Sequence, residues 1–333
     1  MRLAVFTKNR TNPAYEAARC GAERAAAALG ATVAHFVPAL PDDPAEQSAL
    51  IGDALRDRPD AFVMSPVHPT RVDGALERIA AAGVPITTFV SPVTCVPCMC
   101  HVGADDHQLA RVLSEYLFQH LGGRGRVLVV GGHVDSFTST ERLRGLREAA
   151  VLHPGIELVG WLAGDYARDV ARERVADWLR VHGRPDACWA ANDAMALGAL
   201  EALEALGGFE AIEAQAAHTT QAARQTDQAE QMRQVPAAPR QRLPAVPVVG
   251  VNAIPEAITA IGQGRLLATA DFNAMQMACL ATEVAIRTLR GEPVPARIEL
   301  PAQIVDAANH ARWLLPYAQR PVISLQQWRG QQT

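Results

Sequence analysis

Short apolar runs alternate with helix-length patterns along most of this chain, and that alternation limits the fold more than any other feature. Leu3 to Phe6 reads as a first core strand. Asn12-Pro13 then opens a helix with a capping side chain followed by Pro at the first helical position. The Ala-rich run continues to Leu29, and Gly30 supplies the stop. Residues 31–37 predict a strand, 46–56 a helix, 61–64 a short buried strand, 71–82 a helix and 84–89 a strand. The pattern resumes with a helix over 108–121, a strand over 126–130, a helix over 138–152, a strand over 156–161 and a helix over 167–181. Strands alternating with helices of about 10–15 residues predict parallel sheets with right-handed crossovers. At 333 residues the expected number of domains is two. Two sets of βα units favour two similar lobes over one large sheet.

Residues from about 207 to 245 break the rhythm. They are rich in Gln, Ala and Arg, contain Pro236, Pro239 and Pro244, and hold few large apolar side chains. Such a stretch buries little surface. It reads as an insertion, bounded at 208–243, with a loose helix over 211–232 before a Pro-rich linker. Order returns at Val246 to Asn252. A strand over 266–270 ends in Asp271-Phe272-Asn273, a helix spans about 275–290, and 298–305 predicts the last strand. A C-terminal tail, 307–333, carries Trp313, Pro316 and Trp328 and is expected to pack on the body.

The apolar share of 49% and charged share of 20% are those of a globular protein. The net charge is −4, with no basic stripe and no helix-turn-helix module, so nucleic acid is not an expected partner. No apolar run reaches membrane-span length, so direct membrane insertion is not expected. Cys20, Cys188 and Cys279 sit in apolar contexts and read as buried small residues. Cys95, Cys98, Cys100 and His101 form a denser cluster, open to three readings: metal, a local disulfide, or free thiols in a loop. Four metal ligands within seven residues around Pro97 are cramped for tetrahedral closure. No metal and no cofactor are expected.

Polar residues gather just after the predicted strands. Lys8, Asn9 and Asn12 follow the first, His68 the third, Ser91 the fourth. His133, Tyr166, Asn192, Asn252, Asp271 and Phe272 follow later ones. Ligands of open α/β sheets bind at that carboxyl edge. For Asn12, Asn192 and Asn252 a helix-capping role competes with ligand contact, and for His68 and His133 an ordinary loop position does. Ala190-Ala191-Asn192-Asp193-Ala194-Met195-Ala196-Leu197-Gly198 closely resembles a segment of the type I periplasmic sugar-binding proteins. So do Thr11 to Tyr15, Val102 to Asp106, Arg142 to Gly145, Val249 to Asn252 and Leu267 to Ala270, in that family's order and spacing.

The resemblance implies two doubly wound α/β lobes with parallel sheets, joined by a three-segment hinge, with ligand in the cleft. It implies lobes built from 1–104 with 273–301, and from 105–272 with 302–320. It implies that Asn12, Asn192 and Asn252 meet the ligand, that Tyr15 and Tyr166 offer aromatic faces, and that Arg142 forks onto hydroxyls, a task suited to a planar guanidinium. Asp271 or Phe272 marks the last crossing. One departure stands out: after Phe89, ribose-type relatives place Asp-Arg, and this chain has Val90-Ser91. A standard aldopentose is therefore less expected than a polyol, a modified sugar or a sugar acid.

The expected function is a non-enzymatic solute receptor that hands a small sugar-like ligand to the membrane permease of an ABC importer. A cytoplasmic ligand-sensing regulator is the alternative. No dinucleotide fingerprint follows a strand and no nucleophile elbow stands out, so catalysis is not expected. The resemblance implies a periplasmic location. Met1-Arg2 leads straight into the first strand without a signal-peptide pattern, which keeps the cytoplasm as the alternative.

Overall fold

The computed structural model describes residues 1–40, 42–206 and 245–331. The expected insertion, 208–243, lies outside the described residues. The first lobe contains β1 (Arg2–Phe6), α1 (Pro13–Ala28), β2 (Thr32–Phe36), α2 (Pro44–Arg56), β3 (Ala61–Met64), α3 (Asp73–Ala81), β4 (Ile86–Phe89) and β5 (Cys100–Gly103). The second contains α4 (Asp106–His120), β6 (Arg124–Gly131), α5 (Phe137–Leu152), β7 (Gly155–Ala163), α6 (Arg168–His182) and β8 (Ala187–Ala190). It continues with helix α7 (193–206), β9 (Val248–Val251), α8 (Pro255–Gly262) and β10 (Ala268–Asp271). α9 (Ala274–Leu289) and β11 (Arg297–Glu299) return to the first lobe, and β12 (Gln303–Asp306) to the second.

Each lobe is built on a six-stranded sheet, in the order β11-β5-β4-β3-β1-β2 and β12-β10-β9-β8-β6-β7. All pairings are parallel except β10 with β12. The strands are short and nearly all apolar where helices cover both faces, as in β3, β4, β8 and β9. The chain passes between the sheets three times: from β5 to α4, from β10 to α9, and from β11 to β12.

The helices seat closely at two glycines. A Cβ at Gly21 would overlap the Met275 carbonyl, so a residue without one lets α1 lie against α9. Gly145 does the same for α5 against α4, where a Cβ would overlap the His107 carbonyl. The Asn12 side chain caps α1 by accepting from the Ala14 amide at 3.0 Å.

Two sequence expectations are corrected. The last strand is not one element over 298–305. Pro301, which cannot donate to a ladder, separates β11 from β12, and the two halves join different sheets. Nor do all three clustered cysteines lie in a loop. Cys100 is buried in β5, paired to β4 and β11, and the His101 ring meets Thr88 Oγ1 at 3.0 Å. All six cysteines are free, and no group of three or more His, Cys, Asp or Glu among the described residues is placed to hold a metal ion.

The tail runs back across the hinge. A 3-10 turn over His310–Leu314 packs on α8 of the second lobe, and Trp313 Nε1 donates to Asp271 Oδ2 at 2.7 Å. Beyond it, Ile323 exchanges two 2.7 Å hydrogen bonds with the Gln276 amide group on α9. α10 (Leu325–Gly330) begins at a capping box on Ser324, and Leu325 is 1% exposed against the first lobe.

Candidate functional site

The carboxyl ends of the two sheets face each other, and the lobes meet across the resulting cleft. At its mouth Arg71 of the first lobe pairs with Asp135 of the second at 3.5 Å. Deeper in, Lys8, just past β1, lies within electrostatic reach of Asp106 and Arg142 from the opposite lobe.

On the first lobe, Asn9 Oδ1 accepts from the Asn12 amide at 2.9 Å, which folds the loop after β1 back on itself. The loop after β2 joins it: the Asp42 amide donates to the Lys8 carbonyl at 3.2 Å, and Asn9 Nδ2 donates to Asp42 Oδ2 at 3.2 Å. Burial pushes the Asp42 carboxyl up, against the opposing pull of Lys8. Burial also lowers the Lys8 ammonium, with Asp42 and Asp106 working against it. That ammonium forms neither a hydrogen bond nor an ion pair among the described residues, although Lys8 is only 6% exposed. Tyr15, in the first turn of α1, is buried between Ser65 and Arg142, and burial raises its hydroxyl well above the usual range. Ser65 Oγ, after β3, and Ser91 Oγ, after β4, are buried and find no partner at hydrogen-bonding geometry. Val90 stands at φ 64°, a left-handed conformation that is rare for a β-branched residue and concentrates at functional sites.

On the second lobe, Arg142 is 4% exposed. Its Nε donates to Asp106 Oδ1 and one terminal nitrogen donates to the Ala191 carbonyl, both at 2.7 Å. The guanidinium lies 5.7 Å from the Phe272 ring centre, within cation–π range. Burial alone would lower its pKa; Asp106 outweighs that and holds it above the ordinary value. Tyr166 sits at φ 60°, and its hydroxyl meets Ser136 at 3.1 Å and Thr138 at 3.0 Å. Gly132 makes room for that ring, since a Cβ there would overlap it.

The structure therefore brings Lys8, Asn9, Tyr15, Ser91, Arg142, Tyr166 and Phe272 to the cleft. Asn12 and Asn192 are there too, but as caps. Asn192 Oδ1 accepts from the Met195 amide at 2.8 Å, and its Nδ2 donates to the Tyr166 carbonyl at 3.4 Å. Asn252, at φ 124°, is 8% exposed with no side-chain hydrogen bond among the described residues.

Three expected positions differ from the reading above. Asp271 is committed to the hinge, with one carboxylate oxygen accepting from the Asn273 amide and the other from Trp313. His68 is half-buried at the rim, and its Nδ1 accepts from the Thr70 and Arg71 amides. His133 is exposed at the rim, with Nδ1 accepting from the Asp135 amide at 3.2 Å. Both imidazoles shape turns. Sequence reasoning missed Asp42 and the pairing of Asp106. The one available signal was Asp106 inside the family-like Val102–Asp106 segment; Asp42 looked like part of a turn.

Residues 3–227 match the periplasmic binding protein domain, and the chain belongs to that family of solute-binding proteins. Among curated relatives, the ribose import binding protein RbsB of Escherichia coli is 22% identical over 303 residues, covering 91% of this chain and 90% of that protein. The xylitol-binding protein of Mycolicibacterium smegmatis is 20% identical over 254 residues, covering 76% and 63%. A solute-binding protein of Actinobacillus succinogenes solved with D-allose superposes at a TM-score of 0.76, with 20% identity and coverage of 93% and 98%. The Caulobacter myo-inositol binding protein superposes at 0.76, with 22% identity and coverage of 93% and 94%. At these identities the structural matches establish the two-lobed fold.

Proposed function

We propose that this protein is a non-enzymatic solute receptor of the periplasm. It binds a small polyhydroxylated ligand between its lobes and presents the closed form to the permease of an ABC importer. The observation that carries this reading is the set of buried, unpartnered polar groups in the cleft. Lys8 Nζ, Ser65 Oγ and Ser91 Oγ are enclosed without hydrogen-bond partners. Buried polar atoms in folded proteins are nearly always paired, and each exception calls for a reason. A ligand bearing several hydroxyls supplies both donors and acceptors to such a set. Tyr15 and Tyr166 flank it with ring surface suited to C–H faces, and Arg142 contributes fixed donors. The named ligands of the relatives, among them ribose, xylitol, D-allose and myo-inositol, fit that chemistry.

The test is a thermal-shift screen of xylitol, myo-inositol, D-allose, D-ribose and glycerol, followed by calorimetric titration of the hits. A ligand bound only by the native state at 100 times its Kd adds about 2.7 kcal/mol of stability. At least one compound should raise the melting temperature in a concentration-dependent way. A flat response across the neutral sugars, polyols and sugar acids would remove the reading.

A further inference from the structure

We infer that Asp42 is a specificity-determining residue, which with Lys8 opposite grips neighbouring hydroxyls of an uncharged ligand and disfavours sugar acids. This rests on the solute-receptor reading above. Asp42 belongs to the loop between β2 and α2, which no motif linked to a ligand. Its backbone at φ 56° and its amide bond to the Lys8 carbonyl carry the side chain inward beside the loop after β1. One carboxylate oxygen is held by Asn9 Nδ2 at 3.2 Å; the other accepts no hydrogen bond among the described residues. The Lys8 ammonium is buried, near this carboxylate, and bonded to nothing. A free donor and a free acceptor of opposite charge thus share one side of the cleft without touching. A hydroxyl is both donor and acceptor, so two adjacent hydroxyls satisfy the two groups together.

The charge balance sets the class of ligand. Two cations, Lys8 and Arg142, face two carboxylates, Asp42 and Asp106, and Arg142 is already bonded to Asp106 at 2.7 Å. No surplus cation remains to offset a ligand carboxylate, and uncompensated charge in a closed cleft is costly. The placement also accounts for the departure at Val90-Ser91. The charged pair that ribose-type relatives are expected to carry after β4 is absent there. Here a pair stands instead on the loops after β1 and β2.

The experiment compares the parent protein with Asp42→Asn and Lys8→Met by calorimetric titration. The probes are xylitol, myo-inositol and D-allose against D-galacturonate and D-gluconate, and folding is checked by melting. Charge-assisted hydrogen bonds are strong enough that Asp42→Asn should weaken the best neutral ligand about tenfold or more. It should also narrow or invert the preference over the acids, because Lys8 is left as a surplus cation. Lys8→Met should weaken neutral ligands with no gain for acids. If the parent binds a neutral probe and Asp42→Asn binds it equally with unchanged discrimination, the inference falls and the receptor reading stands. A parent that prefers a sugar acid also overturns the inference alone. A parent that binds no probe overturns both.

Discussion

Arg142 should serve two purposes, and its replacement separates them. The Arg142→Ala change removes the partner of Asp106, which is 7% exposed, and leaves the Ala191 carbonyl without its 2.7 Å donor. Breaking a buried ion pair by deleting one member costs about 3–5 kcal/mol, because the other charge stays buried and uncompensated. At roughly 2–4 °C per kcal/mol for a domain of this class, the melting temperature should fall by about 6–20 °C. The double variant Asp106→Ala/Arg142→Ala should be more stable than Arg142→Ala alone, since it removes the stranded carboxylate. Binding should fail separately. The second terminal nitrogen of Arg142 has no partner among the described residues, and a charged hydrogen bond to a ligand contributes about 1.5–3 kcal/mol, a loss of roughly 10- to 150-fold. The assays are thermal melts of the four proteins of the cycle and calorimetry on each folded variant. If Arg142→Ala melts within a degree of the parent, or if the two single losses simply add in the double variant, the buried pair does not work as described.

Three further outcomes are expected. Burial raises the Asp193 carboxyl to about 7, from an ordinary value near 3.8, so the native state holds its proton more tightly than the unfolded chain; stability from this group is present at low pH and lost as pH rises toward and through 7. Asp193→Asn should flatten the fall in melting temperature between pH 5 and 8, and an unchanged slope would refute it. Gly132→Ala should displace the Tyr166 ring and lower ligand affinity, read by titration of the folded variant. Trp313→Phe should cost about 1–3 kcal/mol by stranding an oxygen of Asp271 at the hinge, visible as a lower melting temperature.

The alternation of strands and helices was legible because each element carries its own period and caps. Asn12-Pro13 states a helix start in two residues. β5 was not legible: four residues long, with a His in the middle, it becomes a strand through its neighbours β4 and β11 and the Thr88 bond to His101. The break at Pro301 was hidden inside a run that is apolar on both sides. In the site, the strand-end residues could be placed by topology, since every parallel strand delivers its carboxyl end to the same edge. What those residues do there depends on tertiary partners. Asn192 looks equally suited to a ligand and to a cap, and the Met195 amide decides it. Asp42 reads as half of an Asp-Asp turn before a helix, and Asp43 is indeed the cap of α2. Only the meeting of two loops, with Asp42 in a left-handed conformation, brings its carboxylate to Lys8.

The same geometry says what must drive closure. Across the mouth, Arg71 and Asp135 are both exposed and 3.5 Å apart, and such a pair contributes about 0–1 kcal/mol. Against that, closing encloses Lys8, Ser65 and Ser91 without partners, at a desolvation cost of about 1–3 kcal/mol for each neutral group and more for the ammonium. The protein's own contacts at the mouth therefore do not outweigh the price of closing. Moving a two-state equilibrium from 1:99 to 99:1 takes about 5.5 kcal/mol of differential binding. Two to four charged hydrogen bonds made only in the closed form, at about 1.5–3 kcal/mol each, reach that figure. Lys8, Asp42 and Arg142 each hold one unused polar atom in the cleft, and they come from both lobes. A ligand that satisfies all three is held by both lobes at once, so closure and recognition draw on the same few bonds. A solute that reaches only one wall gains no preference for the closed form and would not be presented for transport.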